Sequence, residues 1–279
     1  MVILPKLIRV CRNFVRYIRS GGCVYVDVRT SNPNYEFQNK VIVVTGGAKG
    51  LGLTLTKSFL DAGGNVVMIG RNEQHLQQTL ADLGSNNLYA YCWDLTDVSN
   101  VQMHLDAISK MAGQIDIWVN NAGLLPHSGT PQDQIGTKTS LFDKVINTNV
   151  KSLLFVGESV AEYWKCRSVH GKMINISSMN SVQPCLQPYH LSKNSVNFIT
   201  QGLAKKYIGY NIIVNGIAPG YVPTGINMTD VKHNAYHPLQ RNERFVLPEE
   251  IAELALFLAS DRSNSIVGQI IFCDGGTTL

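Results

Sequence analysis

Short, uninterrupted runs of apolar residues alternate along the chain with stretches in which apolar residues recur every three or four positions. Runs without polar alternation predict strands that are covered on both faces. The seven predicted strands are Val41–Val44, Val66–Ile69, Leu88–Trp93, Ile115–Val119, Met173–Ile176, Ile212–Ile217 and Ile270–Cys273. The predicted helices lie around Leu51–Ala62, Gln74–Leu83, Val98–Met111, Leu141–Trp164, Tyr189–Tyr207 and Pro248–Ser260. This alternation predicts an α/β fold, a doubly wound parallel sheet of seven strands flanked by helices.

Residues 4–19 have a different pattern, because apolar and basic residues fall on opposite faces of a predicted helix. Six basic residues and only two acidic residues precede residue 38. An amphipathic start of this kind is typical of a mitochondrial presequence or a membrane-surface helix. A helix that packs on the body or on another subunit would have the same pattern. We expect a basic extension and connector at 1–37 and one domain at 38–279.

Composition narrows the class of protein. The 279 residues are 44% hydrophobic, and beyond residue 37 the remaining 18 basic and 18 acidic residues balance. No run of 18 apolar residues predicts a transmembrane helix, and a neutral body makes nucleic acid an unfavoured partner. Six cysteines and seven histidines lack the spacings of metal sites. We expect no metal and a cytoplasmic location, with a mitochondrial one as the alternative.

Tyr189 and Lys193 lie four residues apart in a predicted helix, a spacing that places two side chains on one face. They fall in the apolar stripe of that helix, which contains Val196, Ile199, Leu203 and Tyr207. A lysine ammonium beside a phenol is expected to lower the pKa of the phenol from about 10, towards a pH at which it transfers protons. The alternative is a surface tyrosine beside a solvated lysine.

A glycine-rich loop, Thr45–Gly52, joins the first predicted strand to a helix. Glycines let the backbone approach a diphosphate, which the helix N-terminus attracts. The loop therefore predicts a nucleotide site made by Gly46, Ala48, Lys49, Gly50, Leu51 and Gly52. Arg71 follows the second strand where a carboxylate would bind an unmodified ribose. Together with Lys49 it favours NADP(H), with NAD(H) still possible, unless Arg71 only caps a helix or meets solvent.

Other polar or glycine-containing segments follow the remaining strands, at the edge of the sheet where ligands bind. Asp94 and Leu95 follow the third strand and are placed to hold an adenine, although Asp94 would equally suit a helix N-cap. The other segments are Asn120–Gly123, Ser177–Ser178 and Ala218–Tyr221.

Together these motifs resemble the short-chain dehydrogenase/reductase family, in its single-domain branch. The resemblance runs from Lys40 to Gly276 and implies a Rossmann-like fold. It rests on T-G-x-x-x-G-x-G at Thr45–Gly52, N-N-A-G at Asn120–Gly123, Y-x-x-x-K at Tyr189–Lys193, P-G at Pro219–Gly220, and Asp274-Gly275-Gly276.

The resemblance implies a catalytic tetrad of Asn149, Ser178, Tyr189 and Lys193. It implies hydride exchange between a nicotinamide and an alcohol or carbonyl carbon, with Tyr189 as proton donor in reduction. Ser178 would orient the substrate oxygen, Lys193 would bind the ribose, and Asn149 would hold a water. Further cofactor contacts are implied for Asn121, Ala122, Gly123, Tyr189, Lys193, Pro219, Gly220, Val222 and Thr224. A purely structural role is an equal alternative for Asn121.

One departure from the family concerns the interval between Ser178 and Tyr189. It measures 11 positions and contains Pro184 and Pro188, whereas the family commonly has a slightly longer interval. We expect this loop to close differently over the substrate. Ser177 or Ser181 could replace Ser178 as the partner of the substrate oxygen.

The long segment Tyr221–Leu247 is rich in polar residues and is expected to contact the substrate. A polar lining would suit a small hydroxy compound or a sugar, unless these side chains face water. One rival interpretation is a 3-oxoacyl-[acyl-carrier-protein] reductase, with a docking patch at Lys165, Arg167 and Lys205. Another is a non-catalytic NADPH-binding or scaffold protein. The resemblance also implies a homotetramer or homodimer.

Overall fold

A computed structural model describes residues 36–126, 135–223 and 234–279, with the backbone only for residues 135–138. The predicted helix at 4–19 and the predicted cofactor residue Thr224 lie outside the described residues.

The seven predicted strands are confirmed and form one parallel sheet in the order β3-β2-β1-β4-β5-β6-β7. Their ends differ from the prediction by at most two residues, and β7 has the predicted ends. The strands are β1 Val41–Thr45, β2 Asn65–Gly70, β3 Leu88–Cys92, β4 Ile115–Asn120, β5 Lys172–Ile176, β6 Ile213–Pro219 and β7 Ile270–Cys273. The chain reverses its direction of winding between β1 and β4, which opens a crevice at their carboxyl ends.

Helices cover both faces of this sheet. They are α1 Gly50–Asp61, α2 Glu73–Leu83, α3 Val101–Ala112, α4 Ile135–Ile146, α5 Ser152–Cys166, α6 Pro188–Tyr207 and α7 Pro248–Ala259. The single helix predicted at Leu141–Trp164 is instead divided into α4 and α5 by a π-helical turn at Asn147–Lys151. A turn of this kind widens the helix by one residue and is frequent at functional sites.

The core lies in two layers, one on each face of the sheet. Trp118 and Trp164 are fully buried in one layer, and Phe59 is fully buried in the other. Phe37, which the predicted domain boundary assigns to the extension, is buried against Phe59 with ring centroids 5.3 Å apart. The packed body therefore includes Phe37.

Among the helices of the described ranges, none has the length and apolarity needed to cross a membrane.

Candidate active site

The glycine loop after β1 packs closely against the first turn of α1. Gly46 has a φ of +66°, in the left-handed region that favours glycine. A Cβ atom on Gly52 would overlap the carbonyl oxygen of Gly46 and lie 2.6 Å from Asn121 Nδ2. The predicted glycines thus let the loop, the helix and the turn after β4 approach one another.

The Asn120–Gly123 turn is bound to the end of β1. Thr45 Oγ1 accepts hydrogen bonds from the backbone N–H groups of Asn121 and Ala122, each at 2.9 Å. Asn121 Nδ2 donates to the Thr45 carbonyl oxygen at 2.9 Å, and Asn120 Nδ2 donates to Asn175 Oδ1 at 2.8 Å. Both amides therefore have structural partners, while direct contact of Asn121 with a cofactor stays a prediction.

A cleft with a volume of about 490 Å³ lies over these strand ends. Its lining includes eight of the predicted cofactor residues: Gly46, Ala48, Lys49, Arg71, Asp94, Leu95, Ala122 and Gly123. Gly50, Leu51 and Gly52 lie in the first turn of α1, behind the loop. The lining also contains residues that the sequence analysis missed, namely Asn72, His75, Trp93, Thr148 and Ser152. Thr148 and Ser152 are close to Asn149 in the sequence. The predicted role of Asn149 could therefore have indicated that these two neighbours line the cleft.

Basic side chains outnumber carboxylates among the described residues that line this cleft. Lys49 and Arg71 are both exposed and both line it. Asp94 is the one carboxylate among the described lining residues, and its Oδ1 accepts hydrogen bonds from Thr96 N and Thr96 Oγ1 at 3.0 and 2.8 Å. Because α3 begins at Val101, Asp94 does not cap that helix. The end of the cleft nearest Arg71 thus suits an anion.

Asn149 lies in the π-helical turn, buried and fully hydrogen-bonded. Its Oδ1 accepts from Leu124 N at 2.7 Å, and its Nδ2 donates to Leu124 O at 3.1 Å and to Ser192 Oγ at 2.9 Å. A Cβ atom built on Gly123 would lie 3.5 Å from Asn149 Oδ1 and 3.6 Å from Lys193 Nζ. The turn after β4 therefore brings the polar heads of Asn149 and Lys193 close to the same point.

Lys193 is buried near the carboxyl end of β5. Its Nζ donates a hydrogen bond to the Ile176 carbonyl oxygen at 2.8 Å and lies 5.7 Å from the centroid of the Tyr189 ring. Burial lowers the pKa of Lys193 to about 8, because the ammonium loses contact with water. A group with this pKa is able to exchange a proton near neutral pH.

The direction of the predicted pKa shift of Tyr189 is wrong for this structure. Burial raises the pKa of the phenol, and the hydrogen bond with Ser178 only partly opposes that effect. Lys193 does not contribute to this shift, and loss of hydration is a larger effect than the interaction with Ser178. A phenol with a raised pKa stays protonated at neutral pH, which suits it to donate a proton.

The three serines near the end of β5 have different partners. Ser177 Oγ donates to Asn197 Oδ1 at 2.5 Å, and Ser181 Oγ accepts from Asn197 Nδ2 at 2.9 Å. Ser178 instead interacts with the Tyr189 phenol and opposes the rise in its pKa, and Ser178 Oγ accepts from Asn180 N at 3.2 Å. Of the three, Ser178 is thus the one that adjoins the phenol.

The turn after β6 is fixed against the last strand of the sheet. Gly220 N donates to the Cys273 carbonyl oxygen at 2.9 Å, and a Cβ atom on Gly220 would lie 2.8 Å from Asp274 Cα. Pro219, Gly220 and Val222 do not line the cleft described above. Their predicted contact with a cofactor stays a prediction.

The comparisons with known proteins agree with this geometry. The family model described as short chain dehydrogenase matches residues 40–235. The chain therefore belongs to the short-chain dehydrogenase family and is an oxidoreductase. Both the predicted family and the predicted Rossmann-like fold are confirmed.

Individual relatives within the family have diverse names. A gluconate 5-dehydrogenase of Gluconobacter oxydans is 33% identical over 245 residues, which cover 85% of this chain and 94% of that protein. A 3-oxoacyl-[acyl-carrier-protein] reductase of Thermotoga maritima is 30% identical, over 87% of this chain and 99% of that protein. A solved structure of ElxO with NADP bound is 26% identical, with a TM-score of 0.76, over 85% of this chain and 98% of that chain.

Proposed function

We propose that this protein reduces a carbonyl compound with NADPH, or oxidises the corresponding alcohol with NADP⁺, by means of Asn149, Ser178, Tyr189 and Lys193. The observation that carries the proposal is the position of Tyr189. Its phenol adjoins Ser178, and its ring lies 5.7 Å from the buried Lys193 Nζ. Lys193 in turn adjoins Gly123, which lines the nucleotide-sized cleft.

Bound NADPH would supply a hydride to the carbonyl carbon. Tyr189 donates its phenolic proton to the carbonyl oxygen, and Ser178 orients that oxygen by a hydrogen bond. General acid catalysis of this kind contributes about 10²–10⁴-fold to a rate. Lys193 would hold the ribose of the bound cofactor and supports the return of a proton to Tyr189. Asn149 fixes the turn after β4 through Leu124 and so shapes the space around Lys193.

The preference for NADP(H) rests on Lys49 and Arg71. Both line the cleft, and Arg71 directly follows β2, where a carboxylate would repel a 2′-phosphate. The likeness to ElxO, whose solved structure contains NADP, supports the same cofactor.

The substitution Arg71→Ala tests this preference. Loss of one charge-assisted hydrogen bond costs about 1.5–3 kcal/mol, so NADPH affinity should fall roughly 10- to 100-fold while NADH affinity changes little. Fluorescence titration of both nucleotides measures this, with Lys57→Ala, which alters an exposed lysine of α1 outside the cleft lining, as the matched control. Equal losses for both nucleotides would contradict a role for Arg71 in binding the 2′-phosphate.

Reduction of the 3-oxo group of a 3-oxoacyl chain on a carrier protein is a weaker candidate. Two of the three basic residues proposed to dock a carrier protein are paired with carboxylates. Lys165 Nζ lies 3.0 Å from Glu162 Oε2, and Arg167 Nη2 lies 3.0 Å from Asp106 Oδ1. These pairs reduce the positive charge offered to an acidic partner. The test compares reduction of a 3-oxoacyl group on the carrier protein with reduction of the same group on a small thiol. Faster reduction on the carrier protein, with a steep salt dependence, would favour this alternative function.

Several polar side chains predicted to line the substrate site make structural contacts. Gln240 is buried, and its Nε2 donates to the Arg244 carbonyl oxygen at 2.8 Å. The Arg244 guanidinium pairs with both carboxylate oxygens of Glu250, at 2.8 and 2.7 Å. Arg241 Nη1 donates to the Leu279 carbonyl oxygen at 2.9 Å. These side chains therefore do not support the prediction of a sugar or a small hydroxy compound as substrate.

A further inference from the structure

Three large apolar side chains are exposed around one cavity beside Tyr189. The exposed fraction is 98% for Leu186, 60% for Leu125 and 42% for Phe142. They belong to the loop before α6, the turn after β4 and α4, so the fold gathers them from distant parts of the chain. Contiguous exposed apolar surface of this kind marks a binding site.

The cavity has a volume of about 570 Å³, within the range of sites that hold a small molecule. Its apolar lining consists of Leu125, Pro126, Leu141, Phe142, Leu186 and Pro188. Tyr189 forms part of the same lining. A molecule whose oxygen meets the Tyr189 phenol would therefore place its remaining carbon atoms against this surface.

The charge of the described lining disfavours an anionic substrate. Asp143 contributes a carboxylate, and no lysine, arginine or histidine occurs among the described residues that line the cavity. Against these described residues, a sugar acid or keto acid would lose hydration without gaining a cationic partner, and Asp143 would repel it.

We propose that the substrate is an uncharged ketone with an apolar arm of several carbon atoms, or the corresponding secondary alcohol. The arm lies against Leu125, Phe142 and Leu186 while the ketone oxygen meets Tyr189. Bound NADPH would supply a hydride for the ketone carbon, Tyr189 gives a proton to the oxygen, and the products would be the alcohol and NADP⁺. Tyr189 then regains its proton from solvent. This inference rests on the proposed function and names its class of substrate.

A series of ketones tests the inference on the full-length wild-type protein. The kcat/KM for NADPH-dependent reduction should rise about fourfold for each methylene added between 2-pentanone and 2-nonanone. 8-Oxononanoate has the chain length of 2-nonanone but carries a carboxylate at its far end. It should be reduced with a kcat/KM at least tenfold lower, and Asp143→Asn should narrow that difference.

The substitution Leu186→Asp tests the surface itself. It should lower kcat/KM for 2-nonanone at least tenfold and leave the Kd for NADPH unchanged, because Leu186 lines the cavity and not the cofactor cleft. The matched control is Met103→Asp, since Met103 is an apolar residue of α3 with 59% of its surface exposed and lies outside the cavity lining.

The possible outcomes distinguish a wrong class of substrate from a wrong reaction. A higher kcat/KM for 8-oxononanoate or 5-keto-gluconate than for 2-nonanone would overturn the apolar substrate while leaving NADPH-dependent reduction intact. Equal effects of Leu186→Asp and Met103→Asp would also overturn it. NADPH binding without reduction of 2-nonanone would likewise overturn the apolar substrate, whereas a protein that binds no NADPH would contradict the proposed function itself.

Discussion

Lys193 is the buried cation on which the chemistry of the candidate site depends. It has no carboxylate partner among the hydrogen bonds of the described residues, and its Nζ bonds only the Ile176 carbonyl oxygen there. Such burial favours the neutral amine, so the pKa of Lys193 falls to about 8. The folded protein thus keeps an amine that changes charge close to physiological pH.

This pKa predicts how stability depends on pH. Between pH 8 and about 10.5 the unfolded chain holds a proton on Lys193 that the folded protein has released. The contribution of Lys193 to the free energy of unfolding should therefore rise with pH across this window, by roughly 3 kcal/mol in total. Urea unfolding of the wild type and of Lys193→Met at several pH values measures the difference between their slopes.

The control for this measurement is Lys57→Met, which alters an exposed lysine of α1. It should give the same slope as the wild type, whereas Lys193→Met should give a flatter one. Parallel curves for the wild type and Lys193→Met would show that the buried amine keeps its ordinary pKa.

Only part of the residue-scale chemistry was available from the sequence. The spacing of Tyr189 and Lys193 predicted that both would face the protein body, and Lys193 does so. The raised pKa of Tyr189 depends on how completely the fold removes the phenol from water, which no spacing reveals. Likewise, the choice among Ser177, Ser178 and Ser181 depended on the position of Asn197, 19 residues beyond Ser178.

At the scale of elements, the glycine loop and α1 provide the sharpest test of the cofactor site. Gly52→Ala would force a Cβ atom against the Gly46 carbonyl oxygen and move the loop away from Asn121. NADPH affinity should fall at least tenfold, since the backbone could no longer approach a diphosphate closely. Fluorescence titration of the purified variant measures this.

The matched control is Gly202→Ala in the exposed part of α6. No atom lies within 4 Å of a Cβ built there, so the change should stabilise the protein by about 0.5–1 kcal/mol through helix propensity and leave NADPH binding intact. A Gly52→Ala variant that binds NADPH as tightly as Gly202→Ala would show that the loop does not need this close approach.

The hydrophobic pattern located the elements well because the strands of a covered parallel sheet are continuously apolar. It could not locate the π-helical turn at Asn147–Lys151, since a widened turn preserves the surrounding helical periodicity. That turn carries Asn149, and it sets the hydrogen bonds of Asn149 to Leu124 and Ser192. The family resemblance identified Asn149, whereas the structure shows which hydrogen bonds hold its side chain in place.

At the scale of the whole molecule, the apolar surface beside Tyr189 was not predicted. Leu125, Phe142 and Leu186 each look unremarkable in the sequence, and only the fold brings them around one cavity. The substrate contacts predicted for Tyr221–Leu247 have no comparable support. Residues 224–233 lie outside the described residues, and the side chains of Gln240 and Arg244 make structural bonds.

Two large apolar side chains are exposed on α5 and α6, and we infer that they join two copies of the chain. They are Phe155 and Phe198, which are 47% and 78% exposed. The homotetramer or homodimer implied by the family resemblance would bury such side chains. Phe198→Glu should shift the protein towards monomer in sedimentation velocity at micromolar concentration, whereas Met103→Glu, on α3, should not. A wild-type protein that sediments only as a monomer would contradict this inference.

The central claim is that Tyr189 donates the proton in an NADPH-dependent reduction, and one comparison tests it most directly. The rate of NADPH oxidation with 2-nonanone would be measured for the wild type, Tyr189→Phe and the control Tyr210→Phe, which alters an exposed tyrosine beyond the end of α6. The account predicts a kcat lower by about 10²–10⁴-fold for Tyr189→Phe alone, with the Kd for NADPH unchanged. A Tyr189→Phe variant that turns over at the wild-type rate would contradict the account and show that another group supplies the proton.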